Sequence, residues 1–216
     1  MYVAHKEKYK GLDIEIIQDI APENPITDFE GLVTFACFHR KYDLSNTKDF
    51  DSPEEVREYI KETKAIYCNL YLLDHSGLSI STGAFGCSWD SGQVGYAFIE
   101  REKILKEFGN KNLSPKLKKL AKEIIEGATM DFDAYLTGNV YGFKVSDKSG
   151  NEIESCWGFF GDYDSKYGCL IEAKEVCDYT VKAELKKHLD RLKVQIKNRV
   201  PLLKRVACPI IAVQTA

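Results

Sequence analysis

An α+β fold, mainly antiparallel sheet with packed helices and a long basic amphipathic C-terminal helix, is predicted by three observations. Strand-like and helix-like segments mix without the regular alternation of a doubly wound sheet. The clearest turn signal, Lys148-Ser149-Gly150-Asn151, joins the strand-like runs Val140–Asp147 and Glu152–Phe160 as an antiparallel hairpin. From Ala173 to Val200 the apolar residues keep helical spacing for about eight turns.

Residues 1–30 read as an extended, acidic entry segment whose apolar patch, Ile14, Ile16 and Ile17, adds one edge strand before Pro22 and Pro25. A helix opens at Asp51-Ser52-Pro53-Glu54-Glu55, where Ser52 caps, Pro53 fits the first turn and Glu55 stands three residues after the cap; it runs to about Lys64. Ile66–Asp74 alternates with apolar residues on both faces, which implies a central strand. Two further strands are expected around Leu78–Phe85 and Gln93–Ile99. A short helix runs from Glu100 to Gly109. Ser114-Pro115 then repeats the cap-and-proline start, and the stripe Leu117, Leu120, Ala121, Ile124 and Ile125 makes a surface-packed amphipathic helix that continues past Gly127 through Tyr135 and stops at Gly138. After the hairpin the pattern changes near residue 171, so 1–171 reads as an α+β domain. Residues 172–216 form a long basic helix, ended or kinked at Pro201, and the apolar tail Pro209–Val213, packed on the domain or used in oligomerisation.

The formal charge of the 216 residues is −3, from 30 basic and 33 acidic side chains, which excludes a uniformly basic nucleic-acid binder and a strongly acidic DNA mimic. The charge is unevenly placed. Glu172 to Arg205 holds ten Lys/Arg and five acids; subtracted from the totals, these leave 20 basic and 28 acidic residues elsewhere. Seven cysteines without a Cys-x-x-Cys pair read as reduced thiols of a cytosolic protein. No signal-peptide core and no run of eighteen uncharged apolar residues occurs, so neither secretion nor membrane contact is expected.

Thirteen of the fifteen glycines lie between Gly77 and Gly168, where the backbone turns tightly or approaches a neighbour closely. Within this stretch His75, Cys87 and Asp90 are the candidates for an imidazole base, a thiol nucleophile and an orienting carboxylate. The plainer alternative is turn chemistry, with Asp74 and His75 satisfying backbone groups and Cys87 packed as a small apolar residue. Ligand spacings for zinc or calcium are missing around His75, Asp74, Asp90, Asp131 and Asp133, and no Gly-x-x-x-x-Gly-Lys-Ser/Thr or Gly-x-Gly-x-x-Gly occurs. No cofactor and no metal are expected, and P-loop nucleotide hydrolysis is excluded. The aromatic set, which includes Tyr96 and Phe143, with Trp89, Tyr135, Tyr141 and Trp157 prominent and Asp90 and Gln93 beside Trp89, reads either as sheet core or, where members share an exposed face, as a binding surface. In the last helix, Lys186, Lys187, Arg191 and Lys193 are a solvated face, a basic ridge for nucleic acid or an acidic partner, or the border of a stripe that pairs two protomers.

Five segments occur in succession: Cys37-Phe38-His39-Arg40-Lys41-Tyr42, Asp74-His75-Ser76-Gly77, Trp89-Asp90-Ser91-Gly92-Gln93-Val94-Gly95, Tyr135-Leu136-Thr137-Gly138-Asn139-Val140-Tyr141-Gly142-Phe143 and Cys156-Trp157-Gly158-Phe159-Phe160-Gly161. In this order they resemble a family of small proteins carried by bacteriophages, plasmids and other mobile elements, over residues 25–165. The resemblance implies a bacterial host cytoplasm and carries over no catalytic residues. It also implies action on host machinery, so the leading expectation is a binding protein that inhibits a bacterial defence system such as a CRISPR nuclease or a restriction complex. Its partner is then a host defence protein or nucleoprotein complex, with nucleic-acid contact through the C-terminal helix and a homodimer as further possibilities. The alternatives are a Cys/His or metal-dependent hydrolase acting on a nucleotide or nucleic acid, and a nucleic-acid-binding module.

Overall fold

The computed structural model describes residues 2–199. Twelve elements follow one another in these residues, eight strands and four helices, and every strand pairing is antiparallel. The strands form two four-stranded sheets. The first has the order β1-β2-β7-β8 and is built from β1 (Val3–Tyr9), β2 (Leu12–Gln18), β7 (Val140–Ser146) and β8 (Glu152–Phe160). The second has the order β3-β6-β4-β5, from β3 (Thr34–Cys37), β4 (Ile66–Asp74), β5 (Leu78–Ser81) and β6 (Ser91–Ile99). The predicted α+β class is therefore the observed one, with the antiparallel structure divided over two sheets.

The entry segment is a hairpin and not a single edge strand. Lys10 (φ 50°) and Gly11 (φ 86°) both take left-handed backbone, as a two-residue turn between antiparallel strands requires. In β2, Leu12, Ile14 and Ile16 are buried while Asp13 and Glu15 are half-exposed, the alternation of a sheet with one covered face. β3 is likewise additional to the expected strands. Its free edge is closed by side chains of the following loop. Asn46 accepts from the Phe35 amide (2.8 Å) and donates to the Val33 carbonyl (3.0 Å), while Ser45 accepts from the Cys37 amide (2.9 Å) and donates to its carbonyl (3.0 Å). These bonds stand in for a neighbouring strand.

Helix α1 (Pro53–Thr63) starts as its sequence demands: Ser52 Oγ accepts from the Glu55 amide (3.3 Å), and the Glu55 carboxylate accepts from the Asp51 amide (2.8 Å). Its buried Val56 and Ile60 pack with Ala36, Tyr96 and Phe98 on one face of the second sheet. α2 (Arg101–Glu107) is one short segment after β6. α3 (Pro115–Thr137) is capped by Ser114 and ended by Gly138 at φ 74°; Leu117, Ala121, Ile125 and Phe132 cover the other face of that sheet. The Asp133 carboxylate accepts from Ser79 Oγ (2.7 Å) and the Ile80 amide (2.8 Å), which fastens β5 to α3.

Helix α4 (Cys169–Arg199) lies on the first sheet through Cys169, Ala173 and Cys177, which are buried with Ile14, Ile16, Phe143 and Val145. The expected boundary at 171 thus falls inside turns that belong to this core. Packing ends further on. From Glu184 to Arg199 every residue is exposed, and this stretch is an arm about 24 Å long at about 1.5 Å per residue. Pro201 and the tail Pro209–Val213 lie outside the described residues. Among the described residues no helix is long and apolar enough to cross a membrane.

Two ion pairs tie the root of α4 to the β1–β2 hairpin, Lys174 to Glu7 (2.9 Å) and Lys10 to Asp178 (2.7 Å). The Lys174 hydrogen bond, with a smaller contribution from His5, holds the Glu7 carboxyl below its ordinary range; the Lys10 bond does the same for Asp178. Carboxylates depressed in the folded state stabilise it above the ordinary carboxylate pKa, and that contribution is lost as pH falls through the folded-state value. Protection factors of the α4 amides near Lys174 and Asp178 are therefore expected to hold from pH 7 to about 5 and to drop below about 4, as read by hydrogen exchange. Constant protection down to pH 3 would show that these pairs do not anchor the helix.

Candidate functional surfaces

Three of the five sequence segments meet at one end of the second sheet. β4 and β5 are joined by Asp74-His75-Ser76-Gly77, a tight reversal with Ser76 at φ 58° and the His75 amide donating to the Gly77 carbonyl (3.1 Å). The segment before β6 folds against this turn: the Asp74 amide donates to the Asp90 carbonyl (2.8 Å), and Ser91 Oγ donates to the Cys87 carbonyl. The chain leaving β3 arrives from the other side, with the Phe38 amide donating to the Val94 carbonyl (2.7 Å). There His39 stacks on Tyr42 (ring centroids 4.9 Å, 7° between planes), and Tyr42 Oη donates to Asp74 Oδ2 (3.4 Å). A shallow hollow of about 380 Å³ between Phe38, Asp74, Trp89 and Gln93 continues into a groove of about 560 Å³ along residues 37–43.

His75, Cys87 and Asp90 are neighbours here. His75 Nδ1 lies 3.0 Å from Asp90 Oδ2, and Cys87 Sγ lies 3.8 Å from the same oxygen. The carboxylate is the shared partner, so the order is thiol–carboxylate–imidazole. General-base activation of a thiol requires the imidazole in the middle, oriented from behind by the carboxylate. His75 and Cys87 are exposed and Asp90 is half-buried, and an open surface lacks the water-excluded setting in which oriented dipoles stabilise a transition state most strongly. What the cluster offers is contact: Trp89 is 94% exposed, with the stacked His39–Tyr42 pair and the His75–Asp90 pair beside it.

The other aromatic candidates sit elsewhere. Tyr135 is half-buried at the end of α3 and stacks with Phe132 (6.4 Å). Tyr141 and Trp157 belong to β7 and β8. Tyr141 packs edge-on to Tyr163 (5.3 Å) under α4, and the Trp157 ring covers Gly142, where a Cβ would overlap it. Of the aromatic set, Tyr96 and Phe143 are core and Trp89 and Trp157 are exposed. Burial pushes the thiols of Cys37 and Cys169 up, to about 12 and about 11, as expected of packed, unreactive groups. Asp131 is raised by burial as well. Among the described residues no three His, Cys, Asp or Glu side chains are arranged to hold a metal ion.

A hollow of about 590 Å³ that sequence reasoning did not single out opens between α1, the 46–50 loop and the start of α2. Its polar groups already pair internally: Tyr59 Oη donates to Glu100 Oε1 (2.9 Å), Lys103 lies 3.5 Å from Glu100, and Thr47 Oγ1 donates to Asp49 (2.8 Å).

The second surface is the α4 arm, which carries Lys186, Lys187, Arg191 and Lys193. An apolar row at four-residue spacing advances about 40° around a helix at each step. The row Cys169, Ala173, Cys177, Val181, Leu185, Leu189 therefore turns about 200° from its first member to its last. Its beginning faces the sheet. Its end faces solvent, where Leu185, Leu189, Leu192 and Ile196 are between 39% and 61% exposed. Compared with known protein families, curated proteins and solved structures, the chain matches none.

Proposed function

We propose that this protein acts by binding, and that its target is a bacterial defence complex such as a CRISPR nuclease or a restriction complex. The observation that carries the binding reading is the convergence of the 37–42, 74–77 and 89–95 segments on one open surface that presents Trp89 to solvent. Aromatic anchors bordered by polar groups are what interface hot spots are made of. The choice of target rests on the resemblance to mobile-element proteins, since small accessory proteins of phages and plasmids often act on host defence or host machinery by binding. The hydrolase alternative is weaker, because the shared Asp90 oxygen separates the thiol from the imidazole.

The test is affinity capture of the intact protein from a bacterial lysate carrying a defined defence nuclease, with and without nuclease treatment, followed by cleavage assays on the captured complex. Capture that survives nuclease treatment and lowers cleavage is the expected result. Recovery of nucleic acid alone, lost on nuclease treatment and falling steeply with salt, would instead identify a nucleic-acid-binding module.

A further inference from the structure

We infer that the α4 arm is one half of a helix pair whose other half, in a partner protein, is an amphipathic helix with a Leu/Ile seam and acidic flanks. The inference rests on the binding reading above and names the chemistry of a second contact. Leu185, Leu189, Leu192 and Ile196 follow one another at spacings of four, three and four, the repeat of a coiled-coil seam, and fall within about 60° of arc. That arc is too narrow for a helix lying in a lipid surface, which carries a broad apolar face and aromatic anchors. The arm has no Trp, Phe or Tyr from Glu184 to Arg199.

Charge decides what faces the seam. Lys182, Lys186, Lys193 and Lys197 project along one flank, and His188, Gln195 and Arg199 along the other. The arm's two acids stand off the seam, Glu184 at the outer border of the His188–Gln195 flank and Asp190 behind the lysine row, where it reaches Lys193 at 3.1 Å. A second copy laid antiparallel sets lysine row against lysine row. Laid parallel, it sets that row against His188, Gln195 and Arg199, with the single carboxylate of Glu184 at the outer border for four lysines. Flanking charges of a seam select partner and orientation, and like charges across it select against self-pairing. A helix with Glu or Asp beside its own apolar seam gives every lysine a counter-charge. Nucleic acid would neutralise the lysines and leave the four aliphatic side chains in water.

The test titrates the intact chain with two synthetic peptides of four heptads, both with Leu at the seam positions, one flanked by Glu and one by Lys. The Glu-flanked peptide is expected to bind at least about tenfold more tightly than the Lys-flanked one. Changing Leu189→Asp with Leu192→Asp is expected to abolish binding at unchanged melting temperature, since both side chains are exposed. The triple change Lys186→Glu, Lys193→Glu, Lys197→Glu is expected to reverse the preference between the peptides. Equal binding of the two peptides, or binding of neither, would overturn the inference, as would a seam-dependent dimer of the chain alone or seam-dependent binding to vesicles of phosphatidylserine and phosphatidylcholine. Binding that appears only when residues 200–216 are deleted would also overturn it, by showing the seam covered within the chain. If the two-leucine variant still captures and inhibits the defence complex at parental strength, this inference fails and the proposed function stands. If the peptide preference holds while no defence nuclease is captured, the target is wrong and the arm's chemistry is right.

Discussion

Gly95→Ala is expected to lower stability by about 3 kcal/mol or more, a melting shift of about 6–12 °C for a chain of this size. β6 is an interior strand, and Gly95 lies opposite Cys37 on one side and Leu70 on the other. A Cβ at Gly95 would overlap the Ala36 carbonyl oxygen and come within 2.8 Å of Cys37 Cα. Both are backbone atoms of β3, so no rotamer change relieves the clash; β3 itself must move. Its other edge is held by Ser45 and Asn46, and the displacement therefore passes into the loop that presents His39 and Tyr42. Gly142→Ala is the informative comparison. There the overlap is chiefly with the exposed Trp157 ring, which can swing into solvent, although the Cys156 carbonyl at 2.8 Å remains close. A smaller loss, about 1 kcal/mol, is expected. Equal melting of Gly95→Ala and the parent protein would show that β3 and β6 do not approach this closely.

Trp89→Ala is expected to weaken capture of the target by about 30-fold or more, the loss of about 2 kcal/mol that an aromatic anchor carries at the centre of an interface. At 94% exposure the indole contributes nothing to the core, so the melting temperature should stay within about 1 °C of the parent. Met130→Ala is the control, a large apolar side chain 71% exposed on α3 that lines neither the hollow nor the groove of the loop cluster. Binding that falls equally with both changes would mean general stickiness. Unchanged binding with Trp89→Ala would remove the loop cluster from the interface.

The helices were legible wherever a local signal sufficed. Ser52-Pro53 and Ser114-Pro115 mark two starts that need no tertiary partner, and Lys148–Asn151 marks a turn whose Asp147 carboxylate accepts from the Ser149 and Asn151 amides. The turn between β1 and β2 carries little local signal, because Lys10-Gly11 is an uncommon pair for a tight turn and Lys10 at φ 50° is a non-glycine residue in left-handed backbone. β3 was invisible for a different reason. Four residues carry no periodicity, and its edge partners, Ser45 and Asn46, act through side chains. At the candidate surface, His75, Cys87 and Asp90 could be named by residue type, but neither their proximity nor the order of their contacts was legible, because the pairing of β4 with β6 brings them together. The lysines of α4 could be counted from the sequence. Which of them border an uncovered seam depends on where the sheet ends beneath the helix.

The first sheet also constrains how the chain reaches its native state. Its interior strand β2 pairs with β7, as Asp13↔Ser146 and Gln18↔Tyr141, so the opening residues find their partner only after well over a hundred others have been synthesised. The second sheet needs only Thr34 to Ile99, with α3 following directly. On a ribosome the second sheet and its helices can close while the β1–β2 hairpin still waits with one edge open. During that interval Leu12, Ile14 and Ile16 have neither β7 beside them nor α4 above them, and the chain is most open to mispairing with another copy. Lys6, Lys8, Asp13 and Glu15, already paired across the hairpin, are charges suited to guarding that edge until the end of the chain arrives.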